Sequence, residues 1–122
     1  MKGFVLTLII FALLISGIVI NCIFVNKVHK DMHELVDKVS PSPSEGNEVL
    51  IKQIEKLWDE RKKLLSISVS FSEIDDITNR IDALFASNQS KDAVQIAINI
   101  ELLQNAIDTL KRLEMFSIEN IL

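Results

Sequence analysis

The chain has no tyrosine, one cysteine, one tryptophan, two prolines and three glycines in 122 residues. Each shortage excludes something. A single cysteine rules out an internal disulfide and any Cys-x-x-Cys motif. Three scattered glycines, Gly3, Gly17 and Gly46, leave no phosphate-cradling loop and no Gly-x-Ser-x-Gly elbow. Positive charge is short as well. After Lys2, 12 basic residues stand against 17 acidic ones, a net charge of −5, which does not suit a nucleic-acid backbone. What is abundant instead is Leu, Ile, Glu, Lys and Asp, the composition of a helical protein.

Charge is missing altogether from Phe4 to Val25, a run of 22 residues of which 16 are Leu, Ile, Val or Phe. A helix of that length rises about 33 Å, enough for a hydrocarbon core of about 30 Å. Thr7, Ser16 and Asn21 are outweighed by these apolar positions. The run is too long for a secretory signal, and no A-x-A-like cleavage site closes it. Cys22 raises lipidation, but Asn21 stands where that recognition requires Gly or Ala. The reading taken is an uncleaved single-pass anchor. Its orientation draws on two opposed signals. Lys27, Lys30 and Lys38 against Lys2 favour a cytoplasmic C-terminal part by the positive-inside rule. A short basic head before a long apolar run favours a signal anchor, and the extracytoplasmic placement is preferred.

The rest divides at one clear boundary. Residues 1–25 are the anchor, and 26–39 continue it as an amphipathic stalk, with Val28, Met32, Leu35, Val36 and Val39 at helical spacing. Ser40 to Gly46 cannot continue a helix and reads as a Ser/Pro linker. Residues 47–122 form the helical domain. Its first helix, capped by Asn47, carries Leu50, Ile54, Leu57, Trp58, Leu64 and Leu65 on one side. Ile67 to Phe71 alternates like a strand but has nothing to pair with, and is read as a frayed helix end and turn. Ser70-x-x-Glu73 has capping-box spacing before Ile74, Ile77, Ile81, Leu84 and Phe85. A third helix starts at Ser90, after Ala86 to Gln89. It carries the broadest apolar arc, including Ile98, Leu102 and Ala106, so it packs on both sides. Short connections imply antiparallel neighbours, so the fold class is all-α: a transmembrane helix plus an up-down bundle of about three helices.

Residues with chemical potential are few. His29 and His33 lie one turn apart near Asp31, Glu34 and Asp37, but two imidazoles on one exposed turn fall short of the three or four ligands a metal needs. Glu73, Asp75, Asp76 and Asp82 suit a helix start and its polar face better than acid–base work. No catalytic, cofactor-binding or metal residue is assigned, no cofactor is expected, and the chain is read as not an enzyme. Trp58 is the bundle's aromatic anchor or an interface residue. Asp59 and Glu60 neutralise Arg61-Lys62-Lys63 beside it, which makes that run a solvated face rather than a lipid patch. Phe116, Asn120, Ile121 and Leu122 complete the candidate anchors. The apolar tail would fold back into the groove between the last two helices, with Asn120 turning it, or would enter a partner. Ala12, Ser16 and Gly17 permit close helix contact, so a homo-oligomer is allowed without being indicated.

The layout resembles a family. The Met-Lys start, the single long span, Leu57-Trp58 before Lys62-Lys63, Glu73-Ile74-Asp75, and the ending Leu113-Glu114-x-x-Ser117-Ile118-Glu119-Asn120-Ile121-Leu122 are similar to small clostridial membrane proteins grouped as domain of unknown function 4363. That family often has a histidine near the place of Phe71 and a Trp where Ser40 to Gly46 stands, and this chain departs from it at both. The resemblance implies a single-pass membrane protein of Gram-positive spore-formers and brings no established activity. Together these readings lead to a membrane-anchored, non-enzymatic helical module in the cell membrane that binds another protein, with lipid as its other contact and no nucleic acid. The alternative is an extracytoplasmic domain that senses a ligand or a metal.

Overall fold

Lys2–Asp37 forms one unbroken helix, α1, in a computed structural model of the chain. The structure describes the backbone of residues 1–121 and the side chains of residues 1–115 and Glu119. Three further helices follow, α2 (Glu45–Leu65), α3 (Phe71–Gln89) and α4 (Ala93–Ile121), and the described residues contain no strand. α1 packs on α2 and α4, and α3 packs on α2 and α4 from the opposite corner. This is the square of an up-down-up-down bundle, in which short connections make each helix antiparallel to the next.

At 36 residues, α1 is about 54 Å long, far longer than the bundle needs. Its two halves live in different surroundings. Phe4, Leu6, Leu13, Leu14 and Ile20 are exposed, and this half is long and apolar enough to cross a membrane. From Val25 onward the helix turns a stripe inward: Val25, Val28, Met32 and Val36 are buried, and Val39 joins them just beyond the helix end. The amphipathic pattern of residues 26–39 is therefore real, but its apolar face is covered by α2 and α4. A stripe with this spacing is stabilised when another helix covers it, and here the would-be stalk is the bundle's first helix.

The core is completed by Ile51, Ile54, Trp58 and Leu65 of α2, Ile74, Ile77, Ile81 and Leu84 of α3, and Ile96, Leu103, Ile107 and Leu110 of α4. Leu50, Leu57, Phe85 and Ile100 are half-buried at its margin. Leu64, Val94 and Leu113 point outward instead. α4 does pack on two sides, against α1 and α3, as its broad apolar arc requires.

Helix ends differ from the sequence reading in instructive ways. The N-cap of α2 is Ser44, whose Oγ accepts from the Asn47 backbone N–H at 3.2 Å. Asn47 is thereby freed for another task. Its buried side chain donates to Ser40 O at 2.7 Å, Ser42 O at 3.0 Å and Asn88 Oδ1 at 3.3 Å, and accepts from Ser40 N at 3.0 Å. The Ser/Pro connection is thus fastened to the bundle by one amide, which satisfies backbone groups that would otherwise be orphaned.

Ser70 does cap α3, but its side chain makes no capping bond and lies near Ser72 Oγ at 3.3 Å. Ala86 to Gln89, expected to be a connection, are the last turn of α3. The chain then reverses through Lys91, with φ at 55°. Asp92 N–H donates to Ser87 O and Lys91 N–H to Asn88 O, the paired bonds of a Schellman ending. Asp92 Oδ1 then accepts from Gln95 N at 3.2 Å and starts α4, three residues after Ser90. At the far end, the backbone of residues 116–121 remains part of α4, so the chain neither turns at Asn120 nor folds back as a separate tail.

Candidate functional site

The antiparallel seam between α1 and α4 carries most of the polar side chains that meet across helices. Asn21, His29 and Asp37 recur at eight-residue intervals along α1, and each finds a partner on α4. Asn21 Nδ2 donates to Glu114, and Gln104 Nε2 donates to Asp37. Between them His29 Nε2 lies 2.6 Å from Asp108 Oδ1. A carboxylate only accepts, so Nε2 carries the hydrogen. His33 Nδ1 contacts Asp37 Oδ2 at 3.0 Å, and the two imidazoles are tilted, with centroids 5.5 Å apart.

Alongside these ties runs an open groove of about 830 Å³. Lys30, His33 and Glu34 line its upper part, and Cys22 and Met115 lie lower down beside Asn26. Lys111 and Glu119 add one charge of each sign from α4. The groove can hold a mixed polar and apolar ligand. The His29–His33 pair is present with the spacing read from the sequence, yet each ring is engaged by a carboxylate. Among the described residues no group of three or more His, Cys, Asp or Glu could hold a metal ion.

The sequence-derived candidates do not gather here. Trp58 is 1% exposed in the core, and its Nε1 donates to Thr78 Oγ1 at 2.9 Å. Thr78 passes its own hydrogen to Ile74 O at 3.0 Å. Trp58 is thus a core anchor. The side chains of Phe116, Asn120, Ile121 and Leu122 lie outside the described residues. Glu73, Asp75, Asp76 and Asp82 are spread along the outer face of α3, where Asp76 faces Arg80 at 3.4 Å. The α1–α4 seam is not legible from local sequence, because its partners are 67 to 93 residues apart. The one signal for it was the eight-residue recurrence of Asn21, His29 and Asp37.

Fold and seam together define a four-helix bundle whose first helix begins as a segment apolar enough to span a membrane. The chain belongs to the family described as Domain of unknown function (DUF4363), whose sequence profile matches residues 21–121. That match begins at Asn21, where the first tie between α1 and α4 is made. Comparison with curated proteins and with solved structures finds no match.

Proposed function

We propose that this chain is a single-pass, membrane-anchored, non-enzymatic helical module that binds another protein in the same bilayer, with its bundle outside the cytoplasm. The observation that carries the reading is the continuity of α1, which joins an exposed apolar half to a packed half without a break. An anchor of this kind holds the bundle at a fixed height and confines it to two dimensions. Confinement raises the effective concentration of any partner in the same membrane, so a modest interface is enough. Two surfaces are open to such a partner. One is the anchor half itself, where Ala12, Ser16 and Gly17 are uncovered. The other is the outer edge of α4, where Val94 and Ile98 are exposed one turn apart.

The test is photocrosslinking in native membranes, with a photoactivatable residue placed at Ile98 or at Gly17 of the full chain. A discrete adduct with one other membrane protein is expected at one of these positions. Adducts with lipid alone at both would contradict the reading. A second reading, a ligand sensor, is favoured by the α1–α4 groove, where Lys30, Lys111, Glu34 and Glu119 flank the apolar Cys22 and Met115. It would be supported if a zwitterionic amphiphile raised the unfolding temperature of the full chain and Lys111→Ala abolished the effect.

A further inference from the structure

We propose that the turn between α2 and α3, residues 64–71, is a second membrane contact that seats the bundle directly on the lipid surface. This rests on the anchor reading of α1. Three large apolar side chains stand in the open at this turn: Leu64 at 56%, Ile67 at 82% and Phe71 at 74% exposure. Ile51, Ile54, Ile74, Ile77, Ile81, Ile96 and Ile107 of the bundle are buried and Ile98 is 43% exposed, so the 82% at Ile67 stands out, and at this turn it is joined by two more large apolar side chains. Scattered surface hydrophobes need no explanation, but a cluster at one tip does.

The height of that tip is fixed by a hydrogen bond. Ser68 Oγ donates to Asn21 Oδ1 at 2.9 Å, and the same Asn21 amide donates through Nδ2 to Glu114. The turn, the end of the apolar half of α1 and Glu114 are therefore at one level, and the last turns of α4 run on past it beside α1. Where that level falls follows from α1. With Lys2 in the far headgroup layer, Asn21 lies about 28 Å further along the helix, close to the opposite edge of a hydrocarbon core of about 30 Å. A polar knot of Asn21, Ser68 and Glu114 suits that edge. Ile67 and Phe71, held at its side, face the boundary between headgroups and acyl chains. That is the layer in which interfacial apolar residues insert by roughly 5–10 Å.

Lipid is the occupant because nothing else is required to be at that height, whereas the bilayer must be there once α1 spans it. Lys62 and Lys63 lie one turn above, in the last turn of α2, where Lys62 is held by Asp59 at 3.0 Å. The run is therefore no lipid patch of its own, and the contact rests on the apolar side chains, with the exposed Lys63 able to extend from the surface beside them. The turn is neither long nor apolar enough to cross. It would rest in one leaflet and stop the bundle from tilting about α1.

The experiment uses the full chain, purified and reconstituted at high dilution in phosphatidylcholine vesicles. A Cys22→Ala background carries one cysteine, labelled with an environment-sensitive nitrobenzoxadiazole, at Ile67→Cys or at Phe71→Cys. Ser90→Cys, at the other end of the bundle, is the comparison site. Expected is a blue-shifted emission at 67 and 71 that lipid with a nitroxide high on the acyl chain quenches roughly twofold or more, as shallow insertion requires, with no quenching at 90. Equal, water-like emission at all three sites in floating vesicles would overturn the proposal and leave the anchor intact. A blue shift without lipid quenching would assign the turn to a second copy of the chain and overturn it too. If the protein fails to float with the vesicles, the anchor reading falls as well. Both labelled positions are exposed, so retained helical circular dichroism identifies the folded variants, and either site alone decides the outcome.

Discussion

A fragment of residues 47–122 is expected to lose cooperative unfolding, whereas a fragment of residues 21–122 keeps it. The shorter piece retains α3, α4 and nearly all of α2, and by the sequence reading alone it is the domain. In the folded chain, however, Val25, Val28, Met32, Val36 and Val39 are buried against it. Each is worth about 1.5–3 kcal/mol when taken fully from water, which puts the lost set on the order of 10 kcal/mol. Small domains are stable by about 5–15 kcal/mol in all, so the loss consumes the margin. The cut also removes Ser44, which accepts from the Asn47 backbone N–H, and Ser40 and Ser42, which make three of the four bonds of the Asn47 side chain, so that only Asn88 is left to it. Urea titration followed by circular dichroism checks this: a sigmoidal transition for 21–122, and a shallow, non-cooperative one for 47–122. Equal midpoints for the two fragments would show that α1 contributes nothing to the fold.

The second large effect is expected at Trp58. Trp58→Ala removes the largest fully buried side chain from the middle of α2. The loss of aromatic burial and the cavity left behind together cost about 3–5 kcal/mol. Trp58→Phe keeps most of the ring contact and gives up the bond to Thr78. Thr78 still donates to Ile74 O, so no buried donor is stranded, and about 1–2 kcal/mol of loss is expected. Denaturant midpoints of both variants in the 21–122 fragment measure the difference. Near-equal losses for Ala and Phe would mean that the hydrogen bond, and not the packing, is what Trp58 supplies.

Much of this fold is legible in the residues, because helical periodicity reports which side of a helix is apolar. Ile54, Trp58, Ile74, Ile77, Ile81, Leu84, Leu103, Ile107 and Leu110 all lie on the faces their spacing indicates. Periodicity does not report what covers a face. Val28, Met32 and Val36 read equally as a free amphipathic stalk or as a bundle helix, and only the neighbours α2 and α4 decide between them. Helix ends slid by three residues for a related reason. Ser44 and Asn47 can both cap, as can Ser70, Ser90 and Asp92, and the choice depends on tertiary partners such as Asn88, which lies far from Asn47 in sequence. The α1–α4 seam was least legible. His29 suggested Asp31, Glu34 and Asp37 as companions from its own helix, while its actual carboxylate is Asp108, 79 residues on.

On the proposed function, a single helix serves as both anchor and bundle element. Amide hydrogen exchange of the full chain in lipid nanodiscs measures this most directly. Residues 25–36 are expected to exchange as slowly as the core of α3, residues 74–84, because the same global opening must expose both. Exchange of residues 25–36 as fast as that of the Ser40 to Gly46 connection, with 74–84 still protected, would contradict it and return this stretch to a free stalk.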